Sequence, residues 1–117
     1  VPWIHLSTSR KLTPQAKAEL ADEIGYLVEI IAGKFHRKTM VRIDDGCDIY
    51  RGGELVPCAF METRIMVPND WDQQVDYVDK LYDLFEKKLD LAPTEVYFNM
   101  VEVPSWGSRG SLHKAGQ

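Results

Sequence analysis

Apolar positions along the chain keep changing period. In Val1-Pro2-Trp3-Ile4-His5-Leu6 they alternate, with Ile4 and Leu6 on one face and Val1, Trp3 and His5 on the other, which predicts a strand starting at the first residue. Thr13-Pro14 then reads as an N-cap followed by proline at the first helical position. Ala16, Leu20, Ile24, Leu27, Val28 and Ile31 recur at helical spacing, predicting one apolar face from about Pro14 to Ala32 with Gly33 as the stop. Gly25 lies inside this helix at a cost of about 1 kcal/mol relative to alanine, so it marks a close backbone contact. Alternation returns from Thr39 to Asp44, with Val41 and Ile43 pointing one way and Met40 and Arg42 the other. The polar tract from Asp44 to Gly53 reads as a loop or hairpin closed by Gly52-Gly53.

The second half repeats that order. Pro57 to Met66 reads as a strand, and Val67-Pro68-Asn69-Asp70 as a turn whose Asn69 or Asp70 caps a helix. Trp71, Val75, Val78, Tyr82, Phe85 and Leu89 step by four and three residues, predicting a helix from about Asp70 to Asp90 with one apolar stripe. Pro93 follows, and Glu95 to Val101 is a further strand. Strand, helix, strand thus occurs twice, in a pseudo-repeat of 1–55 and 56–117. The expected fold is α+β: two β-α-β units forming a four-stranded mixed sheet with both helices on one face. The other face then carries Trp3, Met40, Phe60 or Met61, and Tyr97 or Phe98, an apolar patch that self-association would cover.

With 117 residues the chain fits one domain with a real core, and its 18 carboxylates against 14 Lys and Arg argue against a nucleic-acid partner. No apolar stretch reaches the length of a signal sequence or membrane span, which places the protein in the cytoplasm with no membrane partner. Cys47 and Cys58 form no Cys-x-x-Cys pattern and read as free thiols. His5, His36 and His113 are too scattered to suggest zinc, Asp44 to Asp48 reads as a solvated turn rather than a calcium loop, and Gly107 to Gly110 reads as a turn. No metal or cofactor motif is present.

The first stretch holds the candidate chemistry. A free α-amine on an ordered strand titrates near pH 7.7 to 8.0, lower when buried, and so acts as a base where a lysine does not. An ordinary edge strand with a solvated amine is the competing reading.

Several short motifs in order resemble the tautomerase superfamily, in its macrophage migration inhibitory factor and cis-3-chloroacrylic acid dehalogenase branches. They are Leu12-Thr13-Pro14 with Ala16-Lys17, Gly33-Lys34, Pro57-Cys58-Ala59-Phe60, Val96-Tyr97-Phe98-Asn99 and Trp106-Gly107. The resemblance covers nearly the whole chain. It implies a homotrimer with helices outside and sheets lining a central barrel, and active sites between subunits around an N-terminal proline. Here Val1 occupies the place of that proline when the chain is aligned through Leu12-Thr13-Pro14. Three readings are open: Val1 is removed and Pro2 becomes the terminus, Val1 supplies a primary amine, or the site has lost the chemistry.

By the same resemblance Tyr97 faces the substrate from a neighbouring subunit, Asn99 points the same way, and Lys34 holds a substrate carboxylate. Each has a plain alternative: a packed aromatic for Tyr97, a helix C-terminal charge for Lys34. Arg64 falls where related dehalogenases carry carboxylate-clamping arginines, with Ile65 or Met66 as alternative pocket walls and Trp106 nearby. Arg10, Arg42 and Arg109 are further anchors or surface residues. Val28 aligns with the dehalogenase branch's water-directing histidine and Glu102 falls at a different spacing from its acidic residue, so hydration of a chloroacrylate is poorly supported. The expected activity is cofactor-independent proton transfer, keto-enol tautomerisation, on a small 2-oxo or unsaturated carboxylic acid. The alternatives are a hydratase, dehalogenase or decarboxylase on the same fold, or a non-catalytic trimeric binding module.

Overall fold

A computed structural model describes residues 1–116. The first strand, β1, runs Trp3–Thr8, two residues later than the expected start, and its alternation is the one read from the pattern, with Ile4, Leu6 and Thr8 buried. Helix α1 runs Pro14–Leu27, and the Thr13 hydroxyl accepts a hydrogen bond from the Ala16 amide at 3.1 Å. The α-helix ends before the expected Ala32 because Val28–Ile30 tightens into a 3-10 turn. Three residues per turn stack Val28 and Ile31 on one side, and both are fully buried. Gly33 then reverses the chain at φ 82°. Strand β2, Met40–Asp44, returns parallel to β1, with Ile4 beside Val41 and Leu6 beside Ile43.

Tyr50–Arg51 (β3) and Glu54–Leu55 (β4) form a short hairpin whose turn needs positive φ at both Gly52 and Gly53. Strand β5, Ala59–Met66, leads to α2, Trp71–Leu89, which the Asp70 carboxylate caps by accepting from the Gln73 amide at 2.9 Å. Strand β6 is Val96–Val103. A second hairpin, Ser105–Ser108 (β7) and Ser111–Lys114 (β8), follows where only a turn was expected. It carries no alternating apolar face, so the pattern held nothing to reveal it.

The four long strands lie in the order β2-β1-β5-β6. Neighbours within each half are parallel, and β1 meets β5 antiparallel across the middle. This is the expected mixed sheet. Ile4, Leu6, Met61 and Ile65 pack beneath the helices with Leu20, Ile24, Leu81 and Phe85. Thr63 and Tyr77 share a buried hydroxyl hydrogen bond of 2.8 Å in this layer. The sheet's other face carries Met40, Phe60 and Tyr97, all exposed, while Met61 is buried and Phe98 packs against Tyr82 and Phe85.

The stripe expected on α2 is also corrected. The buried face of α2 is Gln74, Tyr77, Leu81, Phe85 and Leu89, whereas Trp71 and Val75, expected in the stripe, are 71% and 40% exposed. The helix carries apolar residues over more than one face, and its seat on the sheet selects the one centred on Tyr77 and Leu81. Among the described residues no helix is long and apolar enough to cross a membrane.

Candidate active site

Antiparallel pairing of β1 with β5 sets Trp3 opposite Arg64, which brings the start of the chain beside the end of β5. There a cavity of about 250 Å³ opens, with Val1 on its wall. Gly33, Lys34 and Phe35 enter from the turn after α1, Ile65 and Met66 from the end of β5, and Trp106 and Arg109 from the β7–β8 hairpin. Lys38, Ser108 and His113 complete it with the buried Pro2, and no Asp or Glu lines it.

The electrostatics follow from that lining. As a free α-amine, the Val1 nitrogen is held below its ordinary 8.0, first by loss of solvent and then by repulsion from Lys34, Lys38 and Arg109. Lys34 donates its ammonium to the Met66 carbonyl at 2.9 Å, tying the turn after α1 to the end of β5. Burial pulls the Lys34 amine down as well, and Glu102 opposes this at longer range. That carboxylate is itself engaged, accepting from Asn69 at 3.0 Å and Gln74 at 3.2 Å. Pro2 fixes the approach to β1: its carbonyl accepts from the Met40 amide at 3.0 Å.

Of the residues singled out from the sequence, Val1, Pro2, Lys34, Ile65, Met66, Trp106 and Arg109 meet in this cavity. Arg64 does not line it. It alternates to the open face of β5, where it is half exposed and pairs with Glu62 at 3.2 Å. Tyr97 is also elsewhere within the chain. It sits opposite Phe60, which sits opposite Ser7, six residues along from Val1, or about 20 Å at the rise of a strand. Its hydroxyl accepts from Arg51 on the β3–β4 hairpin. Asn99 lines a shallow depression between α2 and β6 with Trp71 and Val75. Arg10 holds the end of α2, donating to the Leu89 and Asp90 carbonyls at 2.8 and 2.7 Å, and Arg42 pairs with Asp44.

The Asp44–Asp48 tract keeps its first two carboxylates for the protein. Asp44 faces His5 at 2.7 Å, while Asp45 accepts from the Leu12 amide and the Lys17 ammonium, both at 2.8 Å. No group of His, Cys, Asp and Glu among the described residues is arranged to hold a metal ion. Phe35, Lys38 and His113 were not picked from the sequence. The cluster Lys34, His36, Arg37 and Lys38 just after Gly33 was the available signal for the second of these.

No protein-family model matches the chain, and no curated protein does. Solved structures do. The Leishmania major MIF2 structure is similar over 97% of this chain and 97% of its own at TM-score 0.85 and 17% identity. N1, a member of the cis-3-chloroacrylic acid dehalogenase family, is similar over 97% of this chain and 85% of its own at TM-score 0.81 and 19% identity. Pt0534, solved after inactivation by 2-oxo-3-pentynoate, is similar over 93% of both chains at TM-score 0.81 and 14% identity. The chain therefore has the fold of the tautomerase superfamily, which the sequence resemblance implied. At these identities the fold is what is shared.

Proposed function

We infer that the protein transfers a proton beside the carbonyl of a small 2-oxo or unsaturated carboxylic acid, with the α-amine of Val1 as the base. The observation carrying this reading is the convergence of Val1 and Lys34 on one cavity that, among the described residues, no Asp or Glu lines. Lost solvent and neighbouring cations make the neutral amine available at lower pH than an ordinary α-amine. In this reading Lys34 holds the substrate carboxylate, while Ile65, Met66 and Trp106 give apolar walls. The amine takes a proton from the carbon next to the carbonyl, the electron pair moves to the carbonyl oxygen, and the proton returns at the alternative position. The fixed positive charges favour the enolate formed between these steps. Pro2 offers no base while Val1 precedes it, because its nitrogen is then a tertiary amide. The fold neighbour inactivated by a 2-oxo-alkynoate supports an acid of this class.

Tyr97 joins such a site only from another copy of the chain. The exposed Met40, Phe60 and Tyr97 on the open sheet face support a homotrimer that brings the Arg51–Tyr97 pair, with Asn99 on the same strand face, toward a neighbour's Val1. Arg64, paired with Glu62 on that face, is left a supporting rather than a clamping part. Dehalogenation by directed water is less well supported, since Val28 lies fully buried in the core. The two free cysteines suit a reducing, cytoplasmic setting.

Ketonisation of phenylpyruvate enol tests the reading, using native protein, protein acetylated at its α-amine, and Val1→Pro. Native rate above buffer that acetylation abolishes is the expected result, with 2-oxo-3-pentynoate adding its mass to the Val1 peptide. No rate above buffer from native protein, or an acetylated protein as fast as the native one, overturns it.

A further inference from the structure

Lys34 alone satisfies a single substrate carboxylate, yet the cavity gathers two more cations. Lys38 comes from the 3-10 turn His36–Lys38, its ammonium 5.6 Å from the centroid of the Phe35 ring. Arg109 comes from the tip of the β7–β8 hairpin. Among the described residues, neither is within ion-pair distance of a carboxylate. Arg109 is also held at φ 52°, followed by Gly110 at φ 83°. The first position of such a turn favours Asn, Asp or Gly, and a long side chain there adopts a backbone region it ordinarily avoids. A strained arginine with no anionic partner among the described residues, beside a lysine with none, on the wall of a cavity that no described Asp or Glu lines, has the character of a binding group.

We propose that this cavity selects a dicarboxylic acid: Lys34 takes the carboxylate beside the reacting carbonyl and Arg109 with Lys38 takes a second carboxylate at the far end. This rests on the reading of Val1 and Lys34 given above and names the substrate class. A cavity of about 250 Å³ is smaller than those that take drug-sized ligands, which suits an acid of few carbons. The guanidinium fork supplies two parallel donors to one carboxylate, and Lys38 adds a point charge. The same second carboxylate offsets the repulsion these cations exert on one another.

The test is a matched pair of five-carbon acids, 2-oxoglutarate and 2-oxopentanoate, whose affinities are measured by titration calorimetry at one pH and low salt. A charge-assisted contact predicts that the dicarboxylate binds about tenfold or more tightly. Arg109→Gly and Lys38→Ala should each shrink that ratio, and the double variant should bring it near one. Arg109→Gly relieves the left-handed strain while removing the charge, so thermal unfolding should show it at least as stable as the parent and a lost preference cannot be ascribed to unfolding. Equal affinities in the native protein, no binding of either acid, or a preference that survives the double variant overturns the proposal. Ketonisation of phenylpyruvate enol separates this from the reading beneath it, because that acid carries one carboxylate. Ketonisation without discrimination removes the dicarboxylate alone, and discrimination without ketonisation removes the amine's role as base.

Discussion

Gly25→Ala ought to stabilise α1, yet the structure predicts that it loses much or all of that gain. Alanine is favoured over glycine inside a helix by about 1 kcal/mol. A Cβ at position 25 would stand 2.9 Å from Cδ2 of His36, too close for the ring to stay. That ring stacks on Tyr26 with centroids 3.8 Å apart and reaches Asp22 at 2.7 Å. The stack is worth about 0.5–1.5 kcal/mol. The pair with Asp22 is largely solvated, with side chains 30% and 60% exposed, and adds about 0–1 kcal/mol. Displacing His36 thus costs about 0.5–2.5 kcal/mol against the gain of about 1, so Gly25→Ala alone is expected to fall between about 0.5 kcal/mol stabilising and about 1.5 destabilising, short of the full helix gain throughout. In a His36→Ala background the three ring atoms nearest the new methyl are gone, and the full gain of about 1 kcal/mol should appear. Urea unfolding of the four proteins at one protomer concentration reads the difference. Equal stabilisation by Gly25→Ala in both backgrounds would refute the role given to this contact. Because His36 opens the turn that bears Lys38, the single variant should also weaken anion binding in the Val1 cavity.

Further outcomes follow from the site and core. Since only the unprotonated amine accepts a proton, kcat/KM should rise with pH along a limb below 8.0. Lys34→Met removes a repelling charge, lets the ammonium persist to higher pH and moves that limb upward; a limb that moves down contradicts the assignment. Tyr77→Phe or Thr63→Val alone leaves a buried hydroxyl without its partner and should cost about 1–3 kcal/mol, while the pair should cost less than the sum. Strict additivity in chemical unfolding would count against that bond. Asp70→Ala should lose about 1 kcal/mol through the cap on Gln73, and an unchanged unfolding midpoint would show the cap to be idle.

Much of this fold is local and therefore legible in the chain. Thr13 and Asp70 cap the helices they announce, Gly25 marks a contact, β1 buries the residues its alternation selects, and Val41 and Ile43 of β2 pack partly buried against the core as theirs does. These features depend on neighbours a few residues apart, where period and turn chemistry act directly. The site was legible only in part, and for a related reason. Lys34, Ile65 and Trp106 were singled out through a family likeness, while Phe35 and Lys38 carry no signal of their own beyond a basic cluster.

The sequence by itself determined two strand-helix-strand halves and hence a sheet with both helices on one side, because hydrophobic period fixes which face of each element avoids water. Tertiary structure decided which face of α2 is buried, how far Tyr97 lies from Val1, and that Arg109 reaches the cavity wall. Each of those depends on pairing register between strands remote in sequence, above all β1 against β5, and no local pattern encodes a register that only the packed core selects.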